Sequence, residues 1–150
     1  MTMGDIDLAV TAHSRISELG DAAYPDEGCG VLLGRFAGKR VEVVDATSGM
    51  NLNTTRSRDR YLLDPADIVR ADREARERRL DIVGFWHSHP DHPARPSQFD
   101  TDHAWMDYVY VIVNTTADGA GDLNGFTLTH DGGPFEQLPL VVTPGNGPHA

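Results

Sequence analysis

One cysteine, Cys29, stands in a chain of 150 residues. No internal disulfide framework and no multi-cysteine metal site can be built from it. Cations are scarce as well: Lys plus Arg number 13 against 23 Asp plus Glu, for a formal net charge of −10. Such a surface repels phosphate backbones, so nucleic acid is not expected as a partner. The basic cluster Arg70, Arg73, Arg76, Arg78 and Arg79 is interleaved with Asp72, Glu74 and Glu77 and reads as a solvated helix face. No apolar run approaches the length of a membrane span, and no membrane partner is expected. The start, Met1 to Val10, carries Asp5 and Asp7 without a basic flank or a long apolar stretch. It does not read as a signal peptide, which makes the cytoplasm the default location.

Apolar content of 39% and charged content of 24% suit one soluble globular domain, here taken as 1–150. Alternation at Ile6, Leu8 and Val10 predicts a first strand, and Thr11 to Ala23 a helix that Pro25 stops. Val31 to Leu33 reads as a buried strand with Arg40 to Ala46 as its hairpin partner. A polar loop, Ser48 to Ser57, precedes a short strand, Arg60 to Leu63. Asp64-Pro65-Ala66-Asp67 is the clearest helix start: Asp64 suits the N-cap and Pro65 the first helical position. That helix should run to about Arg79. A strand from Asp81 to Trp86, a helix from Ser97 to Trp105 and an apolar strand from Tyr108 to Val113 follow. A turn is expected at Gly119 to Asp122, then strands at Phe126 to Thr129 and Phe135 to Val142, then a disordered tail from about 143 to 150. Strands broken by three helices predict an α/β fold, a mixed β-sheet flanked by helices.

The chemistry concentrates in fourteen residues, His87-Ser-His89-Pro-Asp-His-Pro-Ala-Arg-Pro-Ser97-Gln-Phe-Asp100. Side chains two apart on an extended chain point the same way, so His87 and His89 can share one ion at a strand's end. Asp100 follows Ser97 by three positions, which on a helix puts both on one face. The same pair also reads as a capping box, and the two readings are compatible. Two histidines and one carboxylate leave a fourth zinc position for water, the pattern of a catalytic site. The other histidines (His13, His92, His103, His130, His149) receive no role. Cys29 reads as a small buried residue rather than a nucleophile.

His87-Ser88-His89-Pro90, six residues, then Ser97-x-x-Asp100 resembles the two-part motif of the JAMM (MPN+) metalloproteases. Tyr24-Pro25-Asp26-Glu27-Gly28-Cys29-Gly30 and Arg60-Tyr61-Leu62-Leu63-Asp64-Pro65 are similar to that family too, and the likeness extends roughly from Ile6 to Val142. The resemblance implies a cytidine-deaminase-like JAMM/MPN fold, a mixed sheet packed between helices. It implies one zinc ion per chain on His87, His89 and Asp100, with Glu27 as general acid/base and Ser97 steadying the bound water or the oxyanion. Spacing alone does not single out Glu27 among the acids. The substrate implied is a ubiquitin-like or sulfur-carrier protein, cut after its C-terminal Gly-Gly; compact chains like this one resemble the prokaryotic members. Two other readings stay open at this point. A non-haem iron enzyme also uses two histidines and a carboxylate, and a non-catalytic scaffold could bind the same carriers. Nucleoside deamination lacks its His-x-Glu and paired-cysteine pattern, and no Gly-x-Ser-x-Gly elbow supports a serine hydrolase. Oligomeric state is not legible.

Overall fold

The computed structural model describes residues 3–144. In chain order its elements are β1 (Ile6–Ala9), α1 (Val10–Ala23), β2 (Cys29–Ala37), β3 (Arg40–Ala46), α2 (Pro65–Glu77), β4 (Asp81–Pro90), α3 (Gln98–Asp102), β5 (Val109–Thr116), β6 (Gly119–Leu128), β7 (Phe135–Leu138) and β8 (Leu140–Thr143). All eight strands form one mixed sheet in the order β7-β6-β5-β4-β2-β3-β1-β8. The expected architecture of a mixed sheet with helices on both faces is the observed one.

Helix α1 begins directly after β1, without a side-chain cap, and buries Ala12, Ile16 and Gly20 at intervals of four. Gly20 packs closely on Val113, Thr115 and Ser88, where a Cβ would stand 3.2–3.4 Å from their side chains. With Ile16, a cluster of Ile6, Leu8, Val43, Trp86 and Val111 makes the main core on this face. Helix α2 starts as its sequence predicts: the Asp64 carboxylate accepts from Ala66 N–H at 2.9 Å, and Pro65 leads the first turn. It stops two residues earlier than expected, because Arg79 adopts φ 58° and the Leu80 N–H returns to the Ala75 carbonyl at 2.8 Å. Its buried Ala71 and Ala75 pack with Val31, Leu33 and Phe85 on the opposite face of the sheet.

Strand β4 runs on through both histidines to Pro90, past the end expected at Trp86. It is clamped on two sides, antiparallel to β2 and parallel to β5, with His87 opposite Ile112 and Pro90 opposite Thr115. Pro90 is its last residue. The Ser88 N–H points to the β2 side, onto the Gly28 carbonyl at 3.0 Å. Two residues on, the missing N–H of Pro90 falls on that same side, beyond the first residue of β2.

Other expectations are corrected. Arg60 to Leu63 is not a strand; it belongs to an irregular strap between β3 and α2 with one isolated bridge, Asn51 to Leu63. The α3 helix is only five residues, because the Trp105 N–H is taken by the Tyr110 hydroxyl (2.8 Å) instead of a helical carbonyl. Gly119 to Asp122 opens β6, and the turn is the two-residue Ala117-Asp118 hairpin before it. The predicted last strand is two strands split at Pro139, and they lie at opposite edges of the sheet. Thr143, placed in the expected tail, ends β8, paired with Ala9; from 145 onward that tail lies outside the described residues.

One residue therefore joins the two edges. The sheet curls to let a single residue bridge them, and on the β8 side the Pro139 carbonyl accepts from the Ile6 N–H of neighbouring β1 at 2.9 Å. Gly125 of β6 sits under the Ile6 and Leu140 side chains, where a side chain of its own would collide.

Candidate metal centre

Period-two alternation in β4 sends Phe85, His87 and His89 to the face that carries α2 and the strap, while Trp86 and Ser88 face α1. Both imidazoles are buried, and their Nε2 atoms lie 3.2 Å apart. Asp100, in the first turn of α3, brings its Oδ2 to 3.1 Å from His87 Nε2 and 3.0 Å from His89 Nε2. Glu27 stands just before β2, next to the same group. One ligand atom from each of Glu27, His87, His89 and Asp100 lies within 4.8 Å of the others, and all four side chains are buried.

The surroundings orient these groups. His89 Nδ1 is 2.9 Å from the Pro93 carbonyl, to which only an N–H can donate, so a neutral His89 turns its Nε2 lone pair toward the cluster. Asp100 Oδ2 accepts from the Ser97 N–H at 2.9 Å, and the Asp100 N–H donates to Ser97 Oγ at 3.1 Å: the capping box is complete. Tyr61 stacks its ring on His87, centroids 4.4 Å apart. Ser88 Oγ accepts from the Gly28 N–H at 2.7 Å, tying β4 to the chain just after Glu27.

Electrostatics separates the four groups. Burial pushes Glu27 up to about 8; the His89 charge opposes this and Asp100 adds to it. Burial would also raise Asp100, but attraction to His87 and hydrogen bonds from His87, His89 and the Ser97 N–H hold it well below the usual carboxylate range. Burial keeps His87 below the ordinary histidine value against the pull of Asp100. For His89 the bonds to Asp100 and Pro93 overcome burial and raise it.

The donors fit a metal. Three nitrogen and oxygen atoms sit pairwise 3.0–3.2 Å apart, close to the roughly 3.3 Å edge of a tetrahedron around an ion with ligands at ~2.0–2.1 Å. Glu27 Oε1 is buried without a hydrogen-bond partner beside them. A cleft of about 620 Å³, lined by Glu27, His89, Ser97, Arg60, Arg95 and Phe99 among others, opens the cluster to solvent.

Comparison with known proteins follows the same line. Residues 9–128 match the family described as prokaryotic homologs of the JAB domain. The chain belongs to that family. It is 32% identical over 135 residues to a desampylase of Haloferax volcanii, covering 89% of each chain. A second relative, a probable TtuB-protein conjugate cleaving protease of Thermus thermophilus, is 32% identical over 91 residues, 61% of this chain and 57% of its own. Among solved structures, a protein of Desulfitobacterium hafniense superposes with a TM-score of 0.80 at 25% identity over 93% of both chains. One from Salinibacter ruber gives 0.68 at 35% identity over 91% of this chain and 89% of its own.

Of the five residues expected from the JAMM resemblance, the structure brings four side chains together. His87, His89, Asp100 and Glu27 converge. Ser97 lies at the rim, exposed, outside the four-donor cluster. Two residues with no signal in the spacing also belong to the site. The sequence pattern predicts a strand at Tyr61 and a polar loop at Asn51; nothing in one sequence places either beside position 87.

Proposed function

We propose that this JAB domain is a zinc-dependent isopeptidase or peptidase that cuts after the C-terminal Gly-Gly of a ubiquitin-like or sulfur-carrier protein. The observation that carries the proposal is the buried convergence of Glu27, His87, His89 and Asp100 at the foot of an open cleft. The names of the desampylase and the conjugate-cleaving relative support the substrate class. A cytoplasmic location is part of the same proposal, in keeping with a free, buried Cys29. Among the described residues no helix is long and apolar enough to cross a membrane.

His87, His89 and Asp100 would hold one zinc ion per chain. Bound there, zinc supplies a positive charge that polarises a carbonyl and acidifies water. Glu27, buried and with a free carboxylate oxygen, takes the proton of the attacking water and returns it to the departing amine nitrogen. The Ser97 hydroxyl, whose oxygen already accepts from the Asp100 N–H, has its own proton to donate to the developing oxyanion. The Pro93 carbonyl and the Ser97 N–H keep His89 and Asp100 from rotating.

The test is cleavage of a panel of ubiquitin-like carriers, each joined through Gly-Gly to an amine, with metal content measured on protein purified anaerobically. We expect stoichiometric zinc and chelator-sensitive cleavage. Glu27→Gln should keep its zinc and lose roughly 10²- to 10⁴-fold in turnover. Retained turnover in that variant removes Glu27 from the mechanism. Iron without zinc, or binding without cleavage across the panel, favours the oxygenase or scaffold reading instead.

A further inference from the structure

The strap between β3 and α2 lies across the candidate centre, and its fixation converges on Asn51. The side-chain amide of Asn51 uses its whole hydrogen-bonding capacity. Nδ2 donates to the Glu27 carbonyl at 3.2 Å and to the Arg60 carbonyl at 3.0 Å. Oδ1 accepts from the N–H groups of Asn53 and Leu62, both at 3.0 Å. Arg60 and Leu62 are the two neighbours of Tyr61, whose ring stacks on His87. One amide therefore ties the backbone of Glu27 to the backbone on both sides of Tyr61. Main-chain bonds extend the tie: Leu52 N–H to the Leu62 carbonyl at 2.7 Å, and Glu27 N–H to the Ser57 carbonyl at 2.6 Å.

We propose that Asn51 is a positioning residue, which sets the Glu27 carboxylate against the His87-His89-Asp100 group by holding the Glu27 carbonyl and the Tyr61 segment together. This rests on the function proposed above. The chemistry admits no ready substitute. Asp offers the acceptor but neither donor, Gln is one methylene too long for the same four bonds, and Ala offers nothing. Among the described residues no other side chain donates to the Glu27 carbonyl. A shift of about 1 Å in a catalytic group is enough to cost on the order of 10²-fold in rate.

The experiment compares wild-type, Asn51→Ala, Asn51→Asp and Leu138→Ala as zinc-loaded full chains. The substrate is a ubiquitin-like carrier joined through Gly-Gly to a peptide amine. Leu138 is buried in β7, at the far edge of the sheet, and controls for lost stability alone. We expect Asn51→Ala to lose roughly 10- to 100-fold in kcat, with KM little changed and zinc retained. Leu138→Ala, at a similar loss of Tm, should keep its kcat. Amide hydrogen exchange at Asn53 and Leu62 should accelerate in Asn51→Ala, with or without zinc. In Asn51→Asp, which keeps the acceptor, that exchange should stay slow while kcat still falls. A kcat for Asn51→Ala equal to wild type, or a loss matched by Leu138→Ala, overturns the assignment. If wild-type protein cuts no carrier, the proposed function fails instead. The exchange data then decide Asn51: unaltered protection at Asn53 and Leu62 refutes its holding role, and faster exchange sustains it.

Discussion

Glu27 and Asp100 are two buried carboxyl groups a few ångströms apart with opposite fates. Asp100 accepts from a backbone N–H and faces two imidazoles, which stabilise its charge. Glu27 has a carboxylate oxygen with no partner, so burial dominates and its value rises to about 8. The sign of the consequence for stability follows from linkage. Below about pH 4.5 both the folded and the unfolded zinc-free protein carry the Glu27 proton, and burial of the group costs little. Between there and about pH 8 the unfolded chain sheds the proton while the folded one keeps it, so stability is lost as pH rises. Glu27→Gln has no proton to lose. Its Tm, measured without zinc, should match wild type near pH 4 and exceed it increasingly toward pH 8; parallel Tm curves across that range would show that Glu27 is not protonated in the fold. Asp100→Asn should abolish stoichiometric zinc in equilibrium dialysis, because two imidazoles alone remain.

At the scale of the element, α3 is a five-residue helix that exists to aim one carboxylate. It is too short to be stable by its own hydrogen bonds, so its Ser97 cap matters more than in a long helix. Ser97→Ala should cost about 1 kcal/mol in urea unfolding and weaken zinc binding together with it. Ser97→Thr, which keeps an oxygen in the capping position, should restore both. Strand β4 illustrates the opposite case. Its local sequence predicts an end at Trp86, yet two flanking strands carry it through His87 and His89 as far as Pro90. The rigid spacing of the two imidazoles comes from that pairing.

The whole molecule is a sheet curled so that a single residue bridges its two edges. Helix α1 lies against one face and α2 against the other. At the junction, Gly125 leaves room for the ends of the Ile6 and Leu140 side chains. Gly125→Val should destabilise the fold by about 1–3 kcal/mol through overpacking, seen as a lower urea midpoint, while zinc content per folded chain stays unchanged because β6 supplies none of the four donors. A loss of zinc in folded Gly125→Val protein would mean that closure and the centre are coupled.

Read from sequence, the α2 start at Asp64-Pro65, the apolar strands and the His87, His89, Asp100 spacing were legible, because each is a local pattern with a fixed period or cap. Glu27 was reachable only through the family resemblance. Sixty residues separate it from His87, and the contact is made by β2 pairing with β4. Asn51 and Tyr61 were not legible at all. Their roles come from hydrogen bonds and stacking across the strap, which no periodicity encodes. The split had a local signal in Pro139 itself, which cannot donate to a ladder; that its halves go to opposite edges is decided only by closure of the sheet.

By itself, then, the sequence determined which side chains are available and the local geometry that lets a strand end and a helix start each present ligands. The tertiary structure decided that these ends meet, that two neighbouring carboxyls are pushed in opposite directions by burial and by hydrogen bonds, and that a loop amide ties the strap to the Glu27 backbone. The physical reason is range. Backbone period and capping act over a few residues, whereas burial and long-range pairing depend on what the folded chain brings alongside.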